Sequence, residues 1–429
     1  MKFLNSVGGD SRSNAYAFLL NKQINDVIDI FGKNRIIKND YENLNSCDIP
    51  LDNTTFIQEY FKKMGYMTLI GEDFMQGGIF NWPYCIGFEK PPVHHSLSAL
   101  QVILERSDLK GLTKKIFRER CYSKGFFIQE YMDDFLQKYK NKLKFSILWH
   151  SYILHDELNS IFAGDDLLYD YFQRNEAYFN NSFNILMGDH GFKMSYFVGT
   201  NIGSFEYMNP YFILTIPNEL KSNKKLLKNL NENSNKHISH FDIYATLIDL
   251  LTIASKDNFK NLDKQENFPI INNKIKGLSL LRPLPEYNRT CYEMRIPPQY
   301  CLCKVNIKKP TTSFNKERSK LAKGFIKALN NKLIVGNLTD KCSPMKLDET
   351  EEFKVEIIET NEFDFIYKIN AITLPGQARY LALMNKNFEV INDEIIRTNI
   401  YKDQAEVCEK KSLYRMYCYC KILVKNEKK

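Results

Sequence analysis

Four short runs of consecutive apolar residues, set between helical stretches, constrain this chain most. Gly65–Ile70 (GYMTLI), Phe145–Trp149 (FSILW), Phe183–Met187 (FNILM) and Tyr211–Ile216 (YFILTI) are too short for buried helices and too uniformly apolar for half-exposed strands. Helical periodicity occupies Phe126–Lys140, Asp156–Asn175 and Phe241–Leu251. A strand that is apolar on both sides has both faces covered, and helices between such strands return the chain for parallel pairing. The expected fold class is therefore α/β, a mainly parallel sheet sandwiched by helices.

The character changes around Gly277–Pro285. From Asn288 onward cysteines occur in two C-x-C pairs, Cys301-Leu-Cys303 and Cys418-Tyr-Cys420, with β-like runs such as Tyr417–Val424. C-x-C is too close for a zinc-finger pair, and no histidine follows His240, so disulfides are the expected use. At about 150 residues per domain, 429 residues make two or three domains. The expectation is an α/β domain over 1–285 and a smaller Cys-containing α+β domain over 286–429. Ser222–Lys236, rich in Asn and Lys, reads as a polar surface loop. An apolar content of 44% excludes disorder for most of the length, and no run of about 18 apolar residues is present.

The net charge of +8 is mild for this length, and its densest source is Lys304–Lys332, where nine Lys and Arg face the single Glu317. Leu321, Phe325, Ile326 and Leu329 share one stripe there, the pattern of an amphipathic helix with a solvated basic face. Basic residues are not interleaved with aromatics, and no nucleic-acid partner is expected. Ten cysteines and four N-x-[ST] sequons, at Asn53, Asn180, Asn288 and Asn337, point to an oxidising location, extracellular or in the secretory lumen. The N-terminal MKFLNSVGGDSRSN lacks a signal-peptide apolar stretch. The expectation is that the chain is N-terminally truncated and that its parent carries a leader or a membrane anchor.

All seven histidines lie between His94 and His240. In the strongest segment, Asn184-Ile-Leu-Met-Gly-Asp-His-Gly191, a strand runs straight into Asp189 and His190. Ligands bind at the carboxyl ends of strands in open α/β sheets, and a carboxylate beside an imidazole offers two metal ligands. His155-Asp156 follows the Phe145–Trp149 strand and offers a second pair, with Asp156 equally suited to start a helix. Val7-Gly-Gly-Asp-Ser-Arg-Ser-Asn14 places Ser11 at a helix N-terminus, where an anionic group is favoured.

These stretches, in this order, resemble the alkaline phosphatase/sulfatase superfamily, and within it the DUF229 proteins of nematodes and insects. Gly65–Asp73, His240–Leu251 (HFDIYATLIDLL) and Tyr287–Lys304 (YNRTCYEMRIPPQYCLCK) carry the likeness further. The resemblance implies Ser11 as nucleophile, Asn14 and Arg12 on the substrate's anionic group, and Asp189 and His190 as metal ligands. His155 and Asp156 fall near the segment that supplies second-metal ligands. His240 is read as structural. The implied cofactor is divalent metal, Zn or Mn, as one or two ions. The implied partner is a small-molecule or glycan phosphate or sulfate ester. The family pattern has Phe-Pro where Arg12-Ser13 stands, and begins with a strand ending in a metal-binding aspartate upstream of the nucleophile. The reading is a metal-dependent hydrolase of phosphate or sulfate esters; the alternative is a catalytically inactive extracellular binding protein on the same fold.

Overall fold

The computed structural model describes residues 1–429 apart from 30–34, 43, 75–77, 83, 106, 110, 112–114, 116–126, 152–154, 156–158, 195, 304–305, 311–313, 361–364, 411 and 428–429. In chain order the strands are β1 (Phe3–Asn5), β2 (Val27–Ile28), β3 (Ile36–Ile37), β4 (Met67–Glu72), β5 (His95–Ser96), β6 (Lys144–Trp149), β7 (Asn184–Met187), β8 (Phe212–Thr215) and β9 (His237–Ser239). β10 (Ile307–Lys308), β11 (Lys346–Leu347), β12 (Lys354–Glu359), β13 (Phe365–Leu374), β14 (Ala378–Met384) and β15 (Val390–Arg397) follow. Helices of ten residues or more are α1 (Ser11–Leu20), α2 (Phe127–Lys138), α3 (Ser160–Arg174), α4 (Lys224–Asn233), α5 (His240–Asp249) and α6 (Asn315–Val335).

The chain forms two compact units. The first comprises Met1–Ile24, Asn39–His190 and Asn209–Arg295; the second comprises Asn25–Lys38, Gly191–Met208 and Ile296–Lys429. In the first unit β4 lies between β5 and β6, parallel to both, and β1 pairs in parallel with β9. The expected alternation of α and β is therefore present, with parallel pairing in two sheets. Ile70 of β4 and Phe145, Ile147 and Trp149 of β6 face one apolar cluster, shared with α1 and α5. Leu69 and Leu148, pointing the other way, pack with Met132, Phe135 and Leu136 of α2. Helices thus cover this sheet on both faces, as apolar runs of period one require.

Three local expectations are corrected. β7 and β8 pair antiparallel, and Gly188 N donates to the Tyr211 carbonyl to extend the ladder. The chain leaving β7 comes back to the same end of the strand, so the return needs no crossover helix. Ser222–Lys236 is mostly helix α4, capped by the Asn223 side chain, which accepts from Leu226 N. Its asparagines fasten it: Asn229 donates to the Leu262 and Leu281 carbonyls, and Asn233 to those of Leu280 and Arg282. Tyr417–Val424 is not a strand; a 3-10 turn (Leu413–Tyr417) and a helix (Lys421–Glu427) flank a single bridge between Cys342 and Cys420. Two disulfides, Cys342–Cys418 and Cys408–Cys420, fix that segment.

The second unit is built on an antiparallel sheet, β10-β12-β13-β14-β15 with β11 beside β13. α6 packs on it through Leu321, Phe325 and Leu329 of the expected stripe and through Leu333, with Ile326 only partly buried. β2 and β3 form a separate antiparallel pair of this unit.

Candidate metal and nucleophile site

The first unit gathers its histidines and acids at strand ends. β1 and β9 pair with Asn5 opposite Ser239, so the chain leaves both strands at one place. From β1 it passes through the loop 6–10 into α1; from β9 it enters α5 directly at His240.

The loop before α1 is held by its own side chains. Asp10, not Ser11, is the N-cap, and its carboxylate accepts from Ser13 N at 2.8 Å. Asn14 is fully buried: its Oδ1 accepts from Val7 N, and its Nδ2 donates to the Gly8 and Asp10 carbonyls. Both N–H donors of that amide are thus spent on the loop backbone. Gly8 is required because a Cβ there would stand 2.3 Å from Ser13 Cβ. The result is a fixed turn carrying Ser11 half-buried at the first position of α1. Arg12 donates from Nη1 to Cys85 Sγ, 3.1 Å away, in the Cys47–Cys85 disulfide.

At the end of β7, Asp189 Oδ2 lies 3.7 Å from His190 Nε2 and, though buried, makes no hydrogen bond. His240 is wholly buried beside them. Its Nδ1 is 3.3 Å from the Asn5 carbonyl. A carbonyl only accepts, so Nδ1 carries the hydrogen and Nε2 carries the lone pair. That Nε2 is buried and makes no well-aligned hydrogen bond, although the ring also interacts with the Asp189 backbone. Burial, opposed by Asp189, pushes the imidazole down to about 4, so it is neutral. One carboxylate oxygen and one imidazole nitrogen are thus left unused in the same neighbourhood, the donor types that Zn and Mn take. The Phe18 ring of α1 lies 5.8 Å from His240 and stacks on Trp149 at 5.9 Å.

A second group was not singled out from sequence. Glu72 of β4 pairs with Trp149 of β6, so the next residues, Asp73 and His150, emerge side by side. His150 Nδ1 is 3.7 Å from Asp73 Oδ2, and Asp73 Oδ1 accepts from Ser151 N. Glu72 accepts from Ile79 N and is pushed up to about 7, by burial first and by Asp73 after the opposing Ile79 bond. The available signal was positional: a polar residue directly after each of two parallel apolar strands. His155 is exposed on the loop after β6, its N donating to the Ser151 carbonyl. Asp156 lies outside the described residues.

The HFDIYATLIDLL segment holds a strap, not a ligand set, apart from its first residue. Asp242, Thr246 and Asp249 line one face of α5. Asp242 accepts from Leu278 N and Ser239 N and is gripped by both arms of Arg289. Thr246 Oγ1 accepts from Leu280 N. Asp249 takes both Nε and Nη2 of the fully buried Arg282.

The family model described as "Protein of unknown function (DUF229)" matches residues 1–351. The chain belongs to the DUF229 family. No curated protein and no solved structure matches it. The matched DUF229 region takes in Ser11, the Asp189–His190 pair, His240 and the strap alike.

Proposed function

We propose that this DUF229 protein is a metal-dependent hydrolase of phosphate or sulfate esters that uses Ser11 as nucleophile, on an alkaline-phosphatase-like arrangement of the first unit. The observation that carries this reading is the pair of unused buried atoms, Asp189 Oδ2 and His240 Nε2. An orphaned carboxylate oxygen beside an orphaned imidazole lone pair is costly unless a cation fills the gap. Asp189, His240 and His190 would hold a Zn or Mn ion, which would supply Lewis-acid stabilisation of the developing charge and lower the serine hydroxyl's pKa.

The chain's own part follows from the turn at α1. Asp10 and Asn14 hold the backbone so that the Ser11 hydroxyl stands at the positive end of α1. Ser11 Oγ attacks phosphorus or sulfur, losing its proton as the new O–P or O–S bond forms. The bond to the alcohol oxygen breaks, and the alcohol leaves with a proton. Water then cleaves the seryl ester and restores the hydroxyl. Asn14, with its amide spent on the loop, positions Ser11 and leaves contact with the anionic group to Arg12. Disulfides in both units and exposed sequons at Asn53, Asn288 and Asn337 support an extracellular or secretory-lumen setting. Among the described residues no helix is long and apolar enough to cross a membrane.

Elemental analysis of the purified chain beside Asp189→Ala and His240→Ala tests this reading. At least one tightly held ion per chain, lost in both variants, and turnover of a nitrophenyl phosphate or sulfate that Ser11→Ala abolishes are the expected results. No metal above the variants' background would overturn it. One observation favours the alternative, a non-catalytic binding protein: among the described residues, only cysteine sulfurs form groups of three or more ligand atoms within 4.8 Å of one another. Absent metal together with specific retention of a sulfated glycan would establish that alternative.

A further inference from the structure

The second unit gathers four of its cysteines in one place, with sulfurs closer together than two independent disulfides need. The bonds present are Cys342–Cys418 and Cys408–Cys420, at sequence separations of 76 and 12. Cys408 Sγ nevertheless lies 3.8 Å from Cys418 Sγ, to which it is not bonded. The sulfurs of Cys342, Cys408 and Cys418 are all within 4.8 Å of one another. The backbone brings the remaining combination together, because Cys342 and Cys420 face each other across an antiparallel bridge. Ser343 N donates to the Tyr419 carbonyl and Lys421 N to that of Lys341, so the hydrogen bonds flank this pair instead of joining it. A flanked pair of this kind has its Cα atoms about 4.5 Å apart, inside the range of about 4.4–6.8 Å that a disulfide spans. The same four residues therefore admit a second pairing, Cys408–Cys418 with Cys342–Cys420.

The two bonds differ in access. Cys342, Cys418 and Cys420 are at most 1% exposed, whereas Cys408 is only half-buried. Exchange begins when a thiolate reaches one sulfur of a disulfide, and Cys408 is the sulfur that solvent reaches. Its bond also closes the shorter loop, the one that constrains the unfolded chain less. Acceptors already stand beside both of its sulfurs. Cys420 Sγ lies 3.1 Å from the Ala405 carbonyl and Cys408 Sγ 3.7 Å from that of Lys341, so thiols formed there are not stranded.

We propose that Cys408 is a thiol-exchange site, at which a small thiol enters and passes the four cysteines between the two pairings. The thiolate of the small thiol attacks Cys408 Sγ; a mixed disulfide forms there, the bond to Cys420 breaks, and Cys420 leaves as a thiolate. Cys420 then attacks Cys342 Sγ, which it faces across the bridge, forming Cys342–Cys420 and releasing Cys418 as a thiolate. Cys418 attacks the neighbouring Cys408 Sγ, forming Cys408–Cys418 and expelling the small thiol. Two disulfides and one thiol stand on each side of this sequence, so no oxidant or reductant is consumed. A second molecule of small thiol that attacks the mixed disulfide instead leaves Cys408 and Cys420 reduced. The proposal does not depend on the ester chemistry of the first unit.

The test is incubation of the full chain with reduced glutathione at neutral pH, followed by blocking of thiols with N-ethylmaleimide, digestion and mass spectrometry of the cross-linked peptides. Cleavage after Tyr419 separates Cys418 from Cys420, so each pairing yields its own peptides. The expected result is glutathione attached first at Cys408, with the Cys408–Cys418 and Cys342–Cys420 peptides rising together by about tenfold or more over a sample without thiol. In the chain carrying Cys408→Ser and Cys420→Ser, glutathione should open Cys342–Cys418 about tenfold more slowly than in the parent, because the buried bond has lost its route to solvent. Glutathione that attaches elsewhere first, or that attaches at Cys408 while only the two original pairings are recovered, overturns the proposal. Equal rates of opening of Cys342–Cys418 in parent and variant overturn it as well. The peptide map needs the parent chain alone, and so decides the matter even where the double variant does not fold.

Discussion

Asp242, in the first turn of α5, accepts from Ser239 N and Leu278 N and is clamped by both arms of Arg289, whereas Asp189, just past the end of β7, leaves a buried oxygen with no hydrogen bond. The same contrast separates two regions of one unit. Along the strap, Asp242, Thr246, Asp249, Arg282 and Arg289 have spent their hydrogen-bonding capacity on one another and on backbone. At the strand ends, Asp189 and His240 have kept theirs. A fully paired buried acid holds a fold together. An incompletely paired one lowers stability and keeps an atom for a ligand. The strap and the strand ends therefore differ in how completely their polar atoms are paired, and each region answers to a different substitution.

The largest effect belongs to the strap. Asp249→Ala leaves the Arg282 guanidinium, 0% exposed, with only the partly exposed Glu266 carboxylate, 3.9 Å away, as an acidic partner. Removing one partner of a buried ion pair costs about 3–5 kcal/mol. Urea unfolding should show a loss of that size, with metal content per folded chain unchanged. A loss below about 1 kcal/mol would mean that the strap is not the clamp described.

Asp189→Asn reverses the pattern. The acid contributes no hydrogen bond through Oδ2, so stability without metal should change by less than about 1 kcal/mol. With Asp189 as the proposed direct ligand, metal affinity should fall by more than the 10–100-fold typical of outer-shell changes. Competition with a chelator of known affinity reads this directly. Should Asp189→Asn destabilise the metal-free chain as Asp249→Ala does, the two acids would not differ in kind.

The sequence showed strands and the order of the motifs because those are written in local apolar patterns, but it overstated their burial: Leu186 of β7 is 38% exposed and Ile213 of β8 50%. Phe145–Trp149 and Phe183–Met187 match β6 and β7 to within a residue at each end. It did not show which polar residues are spent. Asp189 and Asp242 are each one letter after a short or apolar stretch; only Arg289, Ser239 N and Leu278 N distinguish the second. His240 read as structural for the same reason, since the ligand role proposed for it rests on Nδ1 facing the Asn5 carbonyl across the β1–β9 pair. Ser222–Lys236 looked like a loop because its asparagines are polar, and is a helix whose Asn229 and Asn233 donate to the carbonyls of Leu262, Leu280, Leu281 and Arg282. Asp73 and His150 meet only through the register of β4 and β6.

Protonation supplies a third way to separate the regions. His237 of β9 belongs with the spent residues: its Nε2 is 2.9 Å from Asn5 Oδ1. Burial, then the neighbouring Arg289 charge, push it down to about 4, and Asp242 opposes this only in part. The unfolded chain binds a proton near pH 6.5 that the folded chain refuses until about pH 4. The stability this residue contributes is therefore complete above pH 6.5 and is lost progressively as the pH falls towards 4. Urea midpoints measured across that window should drop, and His237→Gln should flatten the part of the fall that His237 causes. An unchanged slope in the variant would remove His237 from the strap's account.

The finest test lies within one turn. Asp10 and Ser11 are neighbours at the start of α1, yet Asp10 caps the helix through Ser13 N and Ser11 does not. Losing an N-cap costs about 1 kcal/mol, so Asp10→Ala should be destabilised by that amount. Ser11→Ala exchanges a half-buried hydroxyl for the best helix former and should stay within about 0.5 kcal/mol of the parent. Under the proposed function, ester turnover should show the opposite ranking, abolished in Ser11→Ala and only reduced in Asp10→Ala, where the turn loosens but the proposed nucleophile remains. Equal stability losses in the two variants would show that Ser11 is structural as well, and the distinction between spent and reserved side chains would then fail at the one residue where the proposed chemistry most needs it.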